Sequence, residues 1–144
     1  MSAPSKSYRL RKHADYQLVY KRGRKQHAKN IAYFYAVRPA DRRSDTEGAR
    51  VGLTVPKALG KAVDRNRIKR RLREAVRRNL ELLSASLSTP IDIVLHPRRT
   101  VMEMEFAALE REVGVIFRAV QKASELAERR VGKITNELPR GTQA

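Results

Sequence analysis

The densest chemistry in the chain lies in Lys61-Ala62-Val63-Asp64-Arg65-Asn66-Arg67-Ile68-Lys69-Arg70-Arg71-Leu72-Arg73-Glu74-Ala75. Between residues 61 and 78, nine Lys or Arg stand against two acids, Asp64 and Glu74. Ile68, Leu72, Ala75 and Val76 recur at helical spacing and make one apolar stripe. On the same wheel Asn66, Arg67, Arg70, Arg73, Arg77 and Arg78 spread over the opposite arc. A guanidinium is planar and can bond two phosphate oxygens at once. Repeated on every turn, it builds a ladder able to follow a phosphate backbone. Asn66 puts a neutral donor and acceptor among the cations, which suits a sugar hydroxyl or a base edge. Arg65 projects near the apolar side and is expected to take a structural partner. A merely solvated helix face mixes in acids four residues from its bases. Their scarcity here favours a face built for an anion.

The second group of chemically useful residues is aromatic. Tyr16, Val19 and Tyr20 share one helix face, and Tyr33, Phe34 and Tyr35 follow one another in a strand-like run. Strand residues alternate sides, so Phe34 points one way and Tyr33 and Tyr35 the other. Lys21, Arg22, Arg24, Lys25 and Lys29 flank these rings. Rings among cations can stack unpaired bases, at ~1–3 kcal/mol per base. Tyr16 and Tyr20 can equally be half-buried core residues. The spacing alone does not choose, nor does it say which of Tyr33, Phe34 and Tyr35 lines a groove.

Other chemistries are missing. There is no cysteine, which excludes disulfides, thiol catalysis and Cys-ligated zinc. His13, His27 and His96 are far apart and make no metal-ligand spacing. No Ser/His/Asp order and no paired carboxylates stand out. Gly52 to Lys61 has the wrong spacing for a phosphate loop. His13 and His27 are expected to be solvated or to face a polyanion rather than to act as an acid–base pair.

The charge agrees with the first group. Lys plus Arg number 32 and Asp plus Glu 15, a net +17 over 144 residues. Residues 1–100 hold 25 bases and 8 acids, whereas residues 101–144 hold 7 of each, so the whole excess lies in the first two-thirds. Self-repulsion of that size disfavours a compact state, and a polyanionic partner offsets it. No apolar run approaches the roughly 20 residues of a bilayer span, and the N-terminus has no apolar signal core. A cytoplasmic protein with no membrane partner and no small-molecule substrate is expected.

The elements that must position these side chains can be read in outline. His13 to Arg22 predicts a helix stopped by Gly23. Asn30 to Val37 and Arg50 to Val55 predict strands separated by a polar loop over Arg38 to Gly48, and Arg24 to Lys29 can hold a further short one. A long helix is expected from about Lys61 to Leu83. Ile91 to Leu95 predicts a strand stopped by Pro97. The last helix is expected from Met102 to about Glu128, with Phe106, Leu109, Val113, Ile116, Val120, Ala123 and Ala127 as its stripe. That stripe is assigned to a core rather than to a coiled-coil seam, because Gly114 interrupts it and alanine ends it. Residues 1–12 are expected to be a flexible basic arm, 13–128 the single domain and 129–144 a disordered tail. The order gives an α+β sandwich with helices packed on a small sheet.

At this point the chain resembles the bacterial ribonuclease P protein family, over about Tyr8 to Phe117. The most specific match is Ala62 to Arg73 around Arg65-Asn66-Arg67, with Arg50-Val51-Gly52-Leu53-Thr54-Val55, Lys57 and Gly60 upstream. Arg9-Leu10 and Asp15-Tyr16 match the first helix, where the family usually has Phe in place of Tyr. The resemblance implies an α-β-β-β-α-β-α order with a left-handed crossover. It implies a ribonucleoprotein endonuclease that removes the 5′ leader of precursor tRNA, with the catalytic centre and its Mg²⁺ on the RNA subunit and no protein-bound cofactor. Matching positions assign RNA-subunit binding to Arg65, Asn66, Arg67, Lys69, Arg70 and Arg73. They assign the leader cleft to Tyr16, Tyr20, Phe34 and Lys57, with auxiliary basic contacts at Arg9, Arg11, Lys12 and Arg24. The chain departs from the family where two adjacent lysines are usual, since Lys57 is followed by Ala58 and preceded by Pro56. The alternative expectation is a non-catalytic RNA-binding protein of another ribonucleoprotein, such as the ribosome.

Overall fold

The computed structural model describes residues 8–39, 48–84 and 90–137, with side chains through Leu82 and Leu126 in the last two segments. The elements run α1 (His13–Arg22), β1 (Arg24–His27), β2 (Ile31–Val37), β3 (Arg50–Leu53), α2 (Ala62–Arg78), α3 (Leu80–Ser84), β4 (Ile91–Pro97) and α4 (Phe106–Glu137). The four strands form one mixed sheet in the order β1-β2-β4-β3. β1 and β2 pair antiparallel, as do β2 and β4, from Ile31 opposite Pro97 to Val37 opposite Ile91. β3 lies parallel to β4, so α2 is the crossover between them. β4 is central and buried from Ile91 to Leu95, which is why it reads as a continuous apolar run.

The pleat sorts the strand side chains between two layers. Tyr33, Val51, Ile93 and Leu95 join Ile68, Leu72 and Val76 of α2 and Leu109, Val113, Ile116, Phe117 and Val120 of α4 in the main core. Val94 joins Leu10 and Val19 of the α1 side, with Tyr16, Tyr20 and Phe34 packed against them. The predicted apolar stripe of α2 is therefore buried, and Leu109, Val113, Ile116 and Val120 of the α4 stripe face the main core with Phe106 packed against it, whereas the Ala127 side chain lies outside the described residues.

Several boundaries differ from expectation. The helix expected over 61–83 is broken at Asn79, whose Nδ2 donates to Ala75 O at 2.9 Å and Glu110 O at 3.0 Å. An amide side chain that bonds local carbonyls competes with helix continuation. Asn79 also explains Gly114: a Cβ there would lie 3.0 Å from Asn79 Oδ1, so glycine lets the end of α2 close onto α4. The last helix starts at Phe106, after a 3₁₀ turn over Arg99–Met102, and runs on to Glu137. The expected tail is thus helical over 129–137, where Glu, Arg and Lys are good helix formers and Gly132 alone costs about 1 kcal/mol. Residues 138–144 lie outside the described residues.

The expected arm is anchored at its end. Leu10 N donates to Val51 O at 3.0 Å and Val51 N to Tyr8 O at 2.7 Å, so residues 8–10 cover the outer edge of β3. Leu10 is buried. The arm's first residues, 1–7, lie outside the described residues, as do 40–47 of the expected polar loop and 85–89.

Candidate nucleic-acid interface

α2 starts after a tight approach. Gly60 has φ 137°, and a Cβ there would lie 2.7 Å from Arg99 Nη1, so glycine is required. Asp64 Oδ2 then accepts from Lys61 N at 3.3 Å, closing the first turn. With Ile68, Leu72, Ala75 and Val76 buried, the cations are forced outward, but not all into the same state.

One flank of α2 is committed to the protein itself. Arg67 Nε donates to Met102 O at 3.0 Å. Arg71 Nε donates to Val101 O at 3.1 Å, and its Nη2 to Met104 O. At the helix start Arg65 Nε donates to Gly60 O at 3.2 Å, the structural partner expected for it. Arg77 and Arg78 grip Glu74 at 2.6 and 2.9 Å and hold its carboxyl at about 2. Arg78 also stands 5.0 Å above the Phe106 ring. Arg77 and Arg78, placed on the phosphate-facing arc by the helical wheel, therefore share the Glu74 carboxylate, and Arg78 also lies 3.6 Å from Glu110 Oε1.

What remains is a compact set. Among the described residues the side chains of Asn66, Lys69, Arg70 and Arg73 make no hydrogen bond or ion pair. They line one groove with Tyr8, Arg9, Glu74 and Arg77. Arg73 also borders a second, smaller hollow with Leu10, Tyr16, Gly52 and Leu53, so it joins the helix face to the aromatic surface. Arg9 lines both, and its Nε is buried without a hydrogen-bond partner among the described residues. Tyr8 was not singled out from sequence, because nothing in its local pattern places it beside α2.

The aromatic surface lies between α1 and the sheet. Phe34 points to this side, while Tyr33 and Tyr35 stack 6.4 Å apart on the main-core side, which settles the alternation left open above. Tyr20 meets Phe34 edge-on at 5.1 Å and His96 at 5.5 Å. Its Oη lies 2.7 Å from Thr54 Oγ1 and 3.0 Å from His96 Nε2. Burial, with a smaller contribution from Lys25, pushes the His96 imidazole below its ordinary value. Tyr16 lies over Gly52, where a Cβ would come within 2.4 Å of its Oη, and donates to Leu10 O at 3.2 Å. Burial raises the Tyr16 phenol, opposed by a hydrogen bond with the Leu53 backbone. Tyr16, Tyr20 and Phe34 are thus both packed and half-exposed. Thr54 and His96 are not legible in the sequence as partners of Tyr20, since 34 and 76 residues separate them from it.

The sheet also removes cations from the surface. Arg38, read as part of a polar loop, is 2% exposed and bonds Asp92 Oδ1 at 3.0 Å and Gly48 O at 2.8 Å. Arg50 bonds Asp92 Oδ2 at 2.8 Å and approaches Asp15 at 3.4 Å. This buried network ties α1, β3 and β4 together and holds the aromatic surface in place.

The other expected contacts are dispersed. Lys57 is exposed in the 3₁₀ turn Lys57–Leu59, and Arg11, Lys12 and Arg24 are exposed around α1. His13 contacts Gln17 at 3.3 Å, whereas His27 ends β1. No group of three or more His, Asp or Glu among the described residues is placed to hold a metal ion. No described helix is long and apolar enough to cross a membrane.

Fold and surface together define a class: a small α+β protein with a cationic helix face and an adjoining aromatic surface. The profile of the family described as Ribonuclease P matches residues 5–121. The chain is 40% identical over 120 residues to the ribonuclease P protein component of Gluconacetobacter diazotrophicus, covering 82% of this chain and 92% of that protein. It is 34% identical over 119 residues to that of Finegoldia magna, covering 83% and 93%. The solved Staphylococcus aureus RNase P protein matches with TM-score 0.60 at 25% identity, over 78% of this chain and 94% of that one. The Thermotoga maritima RNase P protein matches with TM-score 0.60 at 25% identity, over 76% and 94%. The chain belongs to the ribonuclease P protein family.

Proposed function

We propose that the chain works as the protein subunit of a cytoplasmic ribonuclease P, binding a catalytic RNA and the 5′ leader of precursor tRNA. Asn66, Lys69, Arg70 and Arg73 bond the RNA subunit directly. Arg65 and Arg67 add the guanidinium donors left over from their backbone contacts. The leader lies extended over Tyr16, Tyr20 and Phe34, with Lys57 and the auxiliary cations Arg9, Arg11, Lys12 and Arg24 neutralising phosphates. The RNA subunit, with its own Mg²⁺, hydrolyses the phosphodiester 5′ to the mature tRNA end. The protein screens repulsion between the two RNAs and favours precursor over mature product.

The observation that carries this reading is the uncommitted set on α2, exposed beside a half-exposed aromatic surface in a chain of net charge +17. The test is reconstitution with a cognate catalytic RNA at low Mg²⁺. Restored leader removal is expected, and no stimulation would reject the reading. Cosedimentation with ribosomal subunits in place of one small RNA would support the ribosomal alternative.

A further inference from the structure

The last third of the chain has no net charge, yet its cations are not scattered. Arg111, Arg118, Lys122, Arg129 and Lys133 follow one another at steps of seven, four, seven and four residues. All five positions belong to the one helix α4. On a helix of about 100° and about 1.5 Å per residue they fall within an arc of about 60° and span ~33 Å. No acid shares that arc. The buried stripe Leu109, Val113, Ile116 and Val120 occupies the opposite side of the helix. Two acids of the same helix are spent elsewhere. Glu110 faces Arg78 at 3.6 Å, and Glu112 accepts from Asn30 N at 2.6 Å and Asn30 Nδ2 at 2.8 Å.

This face is not a self-neutralised, solvated one. Arg111 and Arg118 have no acid three or four residues away in either direction. Arg118 and Lys122 are like charges one turn apart, a placement that disfavours the helix until an anion lies against both. Arg111, Arg118 and Lys122 are exposed, and among the described residues they make no hydrogen bond or ion pair.

The place of α4 in the fold selects the partner. α4 packs with α2 in the main-core layer, whereas the aromatic surface lies in the α1 layer on the other side of the sheet. Arg111, Val115 and Arg118 line a groove with Glu110 and with Asn79 at the end of α2. Arg78 joins Glu110 to Glu74, and Glu74 lines the groove of Asn66, Lys69, Arg70 and Arg73. The two cationic surfaces therefore adjoin.

We propose that the outer face of α4 is a second contact surface for the catalytic RNA subunit, gripping the sugar–phosphate backbone of one of its segments. This inference rests on the reading of α2 as the RNA-subunit face. Contacts of this kind fix position and add affinity but read no sequence. The surface also extends past the residues shared with the family, since that match ends at residue 121, ahead of Lys122, Arg129 and Lys133.

The test uses the full chain and its cognate catalytic RNA. Arg111→Gln, Arg118→Gln and Lys122→Gln combined should lower the slope of log K against log salt by about 2, at ~0.7–0.9 per phosphate contact. Arg129→Gln with Lys133→Gln should lower it by about 1 or more on the same scale. Arg111→Lys with Arg118→Lys keeps the charge and should keep the slope. Glutamine is a good helix former and relieves the repulsion between positions 118 and 122, so the melting temperature should hold or rise. Hydroxyl-radical footprinting should show an RNA backbone segment that the three-site variant leaves unprotected and Arg70→Ala still protects. An unchanged slope in the three-site variant, with Arg70→Ala lowering its own, overturns the inference and leaves the α2 reading standing. If Arg70→Ala also leaves the slope unchanged, the α2 reading fails with it. If the three-site variant keeps its slope for the catalytic RNA but loses binding to precursor tRNA, or to vesicles of phosphatidylglycerol and phosphatidylcholine, the face serves another polyanion and the inference is overturned.

Discussion

Truncating neighbouring arginines on α2 should have opposite consequences. Arg70 is exposed and makes no hydrogen bond or ion pair among the described residues, whereas Arg71 bonds the carbonyls of Val101 and Met104. Each phosphate neutralised contributes ~0.7–0.9 to the slope of log K against log salt. Over a roughly fourfold salt range, such as 50 to 200 mM, one contact accounts for about a threefold change in affinity. Arg70→Ala should therefore lower the salt slope for the catalytic RNA by nearly one and leave the unfolding midpoint within about 0.5 kcal/mol, as for most surface changes. Arg71→Ala should do the reverse. Hydrogen bonds to a charged group contribute about 1.5–3 kcal/mol each, and partial exposure reduces this, so a loss of about 2 kcal/mol is expected with little change in slope. Filter binding over a salt series and urea unfolding measure the two quantities on the same preparations. Equal slopes for Arg70→Ala and the unsubstituted protein, or equal slope losses for both variants, would refute the division of α2 into a bound flank and an RNA-facing one.

Three further outcomes follow from the packing. Asp92→Ala removes the carboxylate shared by the buried Arg38 and the partly buried Arg50, leaving Arg38 its bond to Gly48 O and Arg50 its contact with Asp15, and should cost about 3 kcal/mol in urea unfolding; a loss below about 1 kcal/mol would show that the network is not structural. Gly52→Ala drives a Cβ into the Tyr16 ring and should destabilise by about 1–3 kcal/mol, with Tyr16→Ala in the same chain recovering part of the loss in a double-mutant cycle. Additive effects would place the strain elsewhere. His96 is held below its unfolded value of about 6.5, so the folded state binds its proton less readily than the unfolded state. Its contribution to stability is present above about pH 6.5 and is lost as pH falls through the folded value, so melting temperature should decline on that acid limb. His96→Gln should flatten the decline, and an unchanged limb would mean that other groups cause it.

Much of the architecture was legible because its signals are local. The stripe Ile68, Leu72, Ala75 and Val76 has one period and one face, and it is the face that α2 buries. The alternation in Tyr33-Phe34-Tyr35 required the rings to part, and they do. Two of the failures come from partners distant in sequence. Asn79 reads as one more helical residue until Glu110 O, 31 residues away, is placed beside its amide. Arg38 reads as solvated because its partner Asp92 is 54 residues on. The helix beyond Glu128 is hidden in the sequence because Gly132 and the loss of apolar periodicity mask the helix-forming residues around them.

Composition and period alone established a basic α+β chain with a cationic helix and aromatic strands, since charge and side-chain alternation need no knowledge of neighbours. Which cations stay available was decided only by the fold, because hydrogen bonding to distant carbonyls and carboxylates consumes some guanidinium groups and leaves Lys69, Arg70 and Arg73 beside the neutral Asn66. The same holds for the hydrogen bond at Tyr20, since a histidine 76 residues away becomes its partner only when the antiparallel pairing of β2 with β4 sets His96 beside α1.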